Sequence, residues 1–389
     1  MNTFETDTAF VAHTYARFPV EIVGGKGSVL TGSDGKSYID LGSGIAVNTL
    51  GVCDAGWIKA VTDQLHRVCH TSNLYYSAPC ANLAAELCAR TGMQKVFFSN
   101  SGAEANECAV KAARAYGAAK HGADCYTILT LKNSFHGRTL TTLAATGQDA
   151  FHEKFQPLTP GFVSIEPTPA ALAAALGTYR VAAVLFEIVR GEGGVLPLDK
   201  AFVDALVKEA AAHDFLLMCD EVQCGNGRSG TLYAYMQYGL SPDVVTTAKG
   251  LCGGLPLGAT LLGDKVADLF TPGSNGSTFG GNPIAAAGAL YVLSKLDDDL
   301  LAGVRHKSAM ICEALTGAPG VGSVTGLGLM LGVQTALPAK EVASRCIGRG
   351  VLVLTAKDKV RLLPALNIPD DLLMQALGIL KDICAEGVQ

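Results

Sequence analysis

The chain has 389 residues, 49% of them hydrophobic, with 35 acidic against 30 basic side chains and a net charge of −5. At about 100–200 residues per domain, that length gives two or three domains with a sizeable core, and the hydrophobic fraction excludes a disordered or fibrous chain. No block of five like charges and no apolar stretch of about 18 residues occurs, so the composition offers no nucleic-acid surface and no membrane span. Small molecules and other protein chains remain as partners.

The start, MNTFETDTAF, has no basic segment leading into an apolar one, and a cytoplasmic, soluble protein is expected. Residues 20–41 pattern as strands about Asp34-Gly35, a good two-residue hairpin turn. The stretch AVTDQLHRVCH reads as an amphipathic helix. It would put His66, Cys69 and His70 on one face, but the pattern is that of an ordinary amphipathic helix, and no metal is expected. From about Leu83 to Leu262, short apolar runs alternate with helical stretches. The runs are 95–100, 126–132, 162–165, 181–189, 215–222, 243–249 and 258–263, and among the helical stretches are 103–122 and 200–214. This alternation is the signature of a mostly parallel sheet covered on both faces.

Beyond about residue 285 come a long helical run, two strand-like stretches and a final helix over 369–387. The predicted fold is α/β, with a large domain over 66–285. Residues 1–65 and 286–389 are expected to pack together as a smaller α+β domain. The 12 cysteines contain no CxxC and are irregularly spaced, so they read as free, mostly buried thiols. The 45 glycines fall in clusters between apolar runs, which places loops at element ends.

In open α/β sheets, ligands bind outside the carboxyl ends of the strands, so polar residues ending these runs are the candidates for chemistry. Lys249 closes DVVTTAK before a glycine-rich loop. A desolvated lysine there would be partly neutral and able to form a Schiff base, although a solvated lysine after a strand would look the same. Asp220 ends FLLMC, a run too apolar to hold a carboxylate without a partner. A buried cation such as a pyridinium nitrogen would serve, and so would a loop that the aspartate caps. Ser101-Gly102-Ala103 opens a helix whose N–H groups suit a phosphate, and Ser277-Thr278 lies in a second small-residue loop. Phe135 and Arg138 would bring an aromatic face and a guanidinium to the same crevice. Arg361, flanked by apolar residues, calls for an acidic partner, either a substrate carboxylate or an internal glutamate.

Together these stretches resemble the class III (ornithine-type) aminotransferases, which are fold-type I pyridoxal phosphate enzymes, and within them the branch acting on N-acetylornithine in arginine biosynthesis. The likeness is carried in order by 19–41, GIAVN (44–48), SNLYY (72–76), FFSNSGAEANE (97–107), NSFHGRT (133–139), AATGQ (144–148), GEGG (191–194), DEVQ (220–223), GRSG (227–230), AKGL (248–251), STFGGNP (277–283) and RLLP (361–364).

The resemblance implies that Lys249 binds pyridoxal 5'-phosphate covalently and shuttles the proton. It further implies that Asp220 pairs with the ring nitrogen, Gln223 bonds the ring hydroxyl and Phe135 covers the ring. Ser101, Gly102 and Ala103 would take the phosphate, with Thr278 reaching in from the other subunit of a homodimer. Arg138 would bind the donor's α-carboxylate. Arg361 would bind that of glutamate or 2-oxoglutarate and pair with Glu192 otherwise, and Ser277 is counted with the substrate-binding residues.

The sequence departs from the family at Glu187-Ile188-Val189-Arg190, which brings an extra cation beside Glu192, and at residues 51–56, expected to form a surface turn. Relatives acting on ornithine, succinylornithine or 4-aminobutyrate share these residues. An aminomutase on the same scaffold would need no 2-oxoglutarate. A catalytically dead homologue would be expected to have lost Lys249 or Asp220, and both are present.

Overall fold

A computed structural model describes residues 1–388. Its centre is a seven-stranded sheet in the order Lys95–Ser99, Gly258–Leu262, Val244–Thr247, Leu216–Asp220, Val181–Phe186, Thr127–Leu131, Phe162–Ile165. The last five strands run parallel, whereas Gly258–Leu262 is antiparallel to both of its neighbours. Each strand falls within an apolar run read from the sequence. The run over 181–189 breaks after Phe186, because Glu187 turns the chain out of the sheet and Val189–Arg190 forms a separate two-residue strand against Leu196–Pro197.

Strand Val181–Phe186 is buried at every position, as a strand with helices on both faces must be. On one face lies the helix Gly102–His121, capped by Ser101, whose side chain accepts from the Glu104 N–H. Four of its nine buried residues are alanine and a fifth is glycine, so the helix lies close against the sheet. The helix expected around His66 is Ala55–Arg67, capped by Asp54, which accepts from the Trp57 N–H at 2.8 Å. Of residues 51–56, Val52 bridges to Gly27 and Cys53 is an exposed turn, while Asp54 caps the helix that Ala55-Gly56 open. Val68 is already extended, so Cys69 and His70 share no helix face with His66.

The two chain ends meet in a second sheet. Strands Ile22–Lys26, Val29–Gly32 and Ser37–Asp40 are antiparallel, with the turn at Asp34-Gly35, and Val351–Leu352 joins Ser37–Asp40 in parallel. A third sheet, Val321–Leu327, Met330–Thr335, Lys359–Leu362 and Leu354–Ala356, is covered by helices including Asp370–Ala385. All 12 cysteines are free, and only Cys53 and Cys69 are exposed. Among the described residues, no helix is long and apolar enough to cross a membrane.

Candidate active site

The carboxyl ends of the parallel strands open on one cavity of about 410 Å³, within the range of small-molecule sites. Its wall is assembled from the segments that follow five strands: Asn100–Ala103, Phe135–Arg138, Glu187, Asp220 with Val222 and Gln223, and Ala248-Lys249. Because Gly258–Leu262 is antiparallel, its leading loop, Gly254–Leu257, reaches the same edge.

Asp220 pairs in register with Thr246, three residues before Lys249, so the carboxylate and the amine stand on adjacent strand ends. Lys249 has φ +43°, a left-handed conformation that costs a non-glycine residue about 1–2 kcal/mol and turns the chain sharply out of the sheet. Desolvation lowers the lysine's pKa, and the nearby Glu192 carboxylate opposes that shift.

The buried carboxylate of Asp220 has partners within the chain itself. Oδ2 accepts from Asn106 Nδ2 at 2.7 Å and His136 Nδ1 at 2.8 Å, and Oδ1 from the Val222 N–H at 3.0 Å. Asn106 is fixed in turn, donating to the His136 carbonyl and accepting from Thr246 Oγ1 at 2.7 Å. The side chain of His136 is wholly buried, and its Nε2 has no partner. Glu187, also buried, accepts from the Phe135 N–H at 2.8 Å and the Gly191 N–H at 3.3 Å, tying two loops of the wall together. Desolvation pushes its carboxyl up to about 7, with His136 acting in the opposite direction.

Ser101, Gly102 and Ala103 bring the start of a 20-residue helix to the cavity. The Glu104 and Ala105 N–H groups are used by Ser101, which leaves those of Gly102 and Ala103 for an anion. A side chain at Gly102 would put its Cβ 2.6 Å from Val222 Cγ1, so only glycine fits here.

The two arginines differ. Arg361, on strand Lys359–Leu362, is buried and donates to Glu192 Oε1 at 2.5 Å and Gln223 Oε1 at 3.0 Å. Desolvation pushes the Glu192 carboxyl up, but Arg361, Lys249 and Gln223 together outweigh it and hold it below the ordinary glutamate value. Gln223 lines the cavity and spends its amide on this pair. A Cβ at Gly191 would lie 2.5 Å from Gln223 Oε1, so a side chain there would push the amide off this pair. Arg138 is exposed at the cavity rim and lies over the rings of Phe151 and Phe135.

Arg190 does not stand against Glu192 as the sequence suggested. Its guanidinium is buried and donates to the Lys132 carbonyl at 3.0 Å, bracing the end of strand Thr127–Leu131. Thr278 is not brought to this cavity by its own chain. It lines another of about 200 Å³, with Tyr75, Tyr76 and His70, while Ser277 Oγ lies 3.4 Å from Asn100 Nδ2. The motif GIAVN forms a left-handed turn, with positive φ at Ser43, Gly44, Ile45 and Ala46. It delivers Val47 to the wall, and Ser43 Oγ bonds the Leu363 carbonyl, two residues past Arg361. Sequence reasoning gave no role to Asn106 or His136. Among the described residues, no group of three His, Cys, Asp or Glu is placed to hold a metal.

A lysine amine and a fixed carboxylate on neighbouring strand ends, beside free helix N–H groups, are what an enzyme working through pyridoxal phosphate requires. The chain belongs to the class III aminotransferases, since the family model described as aminotransferase class-III matches residues 10–384. It is 46% identical over 385 residues to an acetylornithine aminotransferase of Haemophilus ducreyi, covering 98% of each chain. Among solved structures it resembles an N-acetylornithine aminotransferase of Stenotrophomonas maltophilia, at TM-score 0.86 and 34% identity over 99% of both chains. It also resembles an ornithine aminotransferase of Toxoplasma gondii with PLP partially occupying its active site, at TM-score 0.94 and 28% identity over 99% of this chain and 94% of that one.

Class III aminotransferases depend on pyridoxal phosphate, and the residues present fit that group. The helix start is bare of side chain at Gly102, the Gly102 and Ala103 N–H groups have no use within the helix, and amine and carboxylate face one cavity.

Proposed function

We propose that this chain moves the ω-amino group of N-acetylornithine to 2-oxoglutarate, giving N-acetylglutamate semialdehyde and glutamate, as a cytoplasmic homodimer in arginine biosynthesis. The observation that carries the reading is a pair of unlike guanidinium groups, Arg138 on the cavity rim and Arg361 buried behind Gln223, which lines the cavity. Arg138 is open to a carboxylate at all times, whereas Arg361 is neutralised by Glu192. A donor with one α-carboxylate needs only the first site. A dicarboxylate acceptor needs both, and its second carboxylate can displace Glu192 from Arg361. One cleft then serves two substrates of different charge.

When bound, pyridoxal phosphate supplies an electron sink for the carbanion left when the amine-bearing carbon loses its proton. The protein's part falls to named residues. Lys249 Nζ holds the cofactor covalently at rest and carries the proton from that carbon, and Asp220 keeps the ring nitrogen protonated. Asn106 and His136 hold the Asp220 carboxylate in one orientation. Ser101, Gly102 and Ala103 would take the phosphate, Phe135 would cover the ring, and Gln223 would bond the ring hydroxyl. Ser277 would contribute to substrate binding. Thr278 of a second copy completes the phosphate site. Supporting the dimer, Leu74, Tyr75, Tyr76 and Phe279, around the Thr278 cavity, are all more than half exposed, an apolar patch of the kind that marks an interface.

The test mixes the cofactor-loaded protein separately with N-acetylornithine, ornithine, succinylornithine and 4-aminobutyrate and follows the cofactor's visible absorption. Fastest conversion by N-acetylornithine, reversed by 2-oxoglutarate with glutamate formed, is the expected result. A faster alternative amine overturns the substrate assignment, and conversion by none overturns the transaminase reading.

A further inference from the structure

The segment TGQDAF follows the helix Leu140–Ala145 and closes as a short turn, Asp149–Phe151, stopped by the His152 N–H donating to the Asp149 carbonyl. This turn is bound to the loop that carries Phe135 and Arg138. Gln148 Nε2 donates to the Ser134 carbonyl at 3.0 Å, the Gly147 N–H donates to Ser134 Oγ at 3.0 Å, and His152 Nε2 lies 2.9 Å from the Leu143 carbonyl. The Phe151 ring, half-buried, is therefore held in place, edge-on to Phe135 at 5.9 Å.

Arg138 Cζ lies 4.1 Å from the centroid of the Phe151 ring and 5.4 Å from that of Phe135. Arg361 is oriented by a carboxylate and an amide, but among the described residues Arg138 has neither an ion pair nor a hydrogen bond. Stacking engages the face of a guanidinium and leaves its edge, with all five N–H donors, unspent. A carboxylate partner would orient the arginine too, but it would occupy the donors a substrate needs.

We infer that Phe151 is a positioning residue for the donor's α-carboxylate: it fixes the Arg138 guanidinium by its face so that the edge meets the substrate already oriented. This rests on the reading that Arg138 receives that carboxylate. Phe151 thereby sets the affinity for the amino donor without touching the reacting carbon, and the arginine gives up less side-chain freedom when the donor binds.

The test compares Phe151→Leu, Phe151→Tyr and Arg138→Lys in the cofactor-loaded enzyme, with kcat and KM for N-acetylornithine and for 2-oxoglutarate measured separately. Leucine keeps bulk but has no π face, so the KM for N-acetylornithine is expected to rise about fivefold, with kcat and the KM for 2-oxoglutarate within about twofold of the parent. Tyrosine keeps the face and is expected to restore the parent KM. A fall in kcat, or an equal rise in both KM values, for Phe151→Leu would mean that the ring acts through Phe135 or the fold, and would overturn the inference. Arg138→Lys keeps the charge and loses the flat fork, so it should raise the N-acetylornithine KM more than that for 2-oxoglutarate, which Arg361 also holds. If it does so while Phe151→Leu changes nothing, the inference alone fails. If Arg138→Lys weakens both substrates alike, the assignment of Arg138 fails first.

Discussion

The floor of the cleft and its mouth are built on opposite rules. On the floor, polar groups are committed to fixed neighbours: Asp220 accepts from Asn106, His136 and the Val222 N–H, and Glu187 accepts from the Phe135 and Gly191 N–H groups. At the mouth, one arginine is held by a carboxylate that can leave and the other by aromatic faces alone. Preorganised dipoles around a reacting centre cost no rearrangement as charge develops, so a rigid floor suits chemistry common to both half-reactions. A cleft that must accept unlike substrates in turn needs its adjustable parts elsewhere, and here they are the exposed Arg138 and the buried Glu192–Arg361 pair.

The contrast breaks most completely at Lys249. Lys249→Ala removes the only amine the floor offers and should lower turnover by at least about 10³-fold for every donor and acceptor alike. The visible absorption of the bound cofactor should shift as its covalent link is lost. Retained turnover with any one substrate would show that the floor is not shared.

Asn106→Ala comes next. It takes one hydrogen bond from Asp220 and leaves Thr246 Oγ1 without its acceptor, while Lys249 is untouched. A loss of about 10–100-fold in kcat, equal for both half-reactions and with KM values little changed, is expected from weakening one bond to a buried carboxylate. Unequal losses would mean that Asn106 belongs to the mouth.

How much of this could be read in the chain follows from the range of each interaction. Lys249, Asp220 and Ser101–Ala103 stand at the ends of apolar runs, where the general geometry of α/β sheets already points, and the structure brings all of them to one cavity. Asn106 gave less warning. Its partners are 30, 114 and 140 residues away in sequence, and the only local sign was an amide on the alanine-rich face of a helix. His136 lay inside a recognised motif, but its bond to Asp220 spans 84 residues and no spacing encodes it. Arg190 was misplaced for a local reason. Being two residues from Glu192 suggested contact, whereas the short strand Val189–Arg190 sends the guanidinium to Lys132. The helix around His66 was read too far, since Val68 turns the chain before Cys69.

The smallest and sharpest change is Glu192→Gln, which leaves the floor intact and alters only how readily Arg361 is released. Glutamine can still bond the guanidinium but no longer neutralises it, so a dicarboxylate need not displace a charge. The KM for 2-oxoglutarate should fall about threefold. The KM for N-acetylornithine should hold or rise slightly, because its neutral acyl end now lies beside an uncompensated cation. The same substitution reaches the floor by one route. The Glu192 carboxylate raises the pKa of Lys249, opposing the desolvation that lowers it. Removing that charge lets the lysine pKa drop further, so the neutral amine is present at lower pH. Cofactor uptake by the protein freed of pyridoxal phosphate depends on that neutral amine, and its rising limb with pH should move to lower pH in Glu192→Gln. A limb that stays put while the 2-oxoglutarate KM falls would mean that the gate and the lysine are electrostatically independent. A limb that moves with no change in KM would mean that Glu192 serves the floor rather than the mouth.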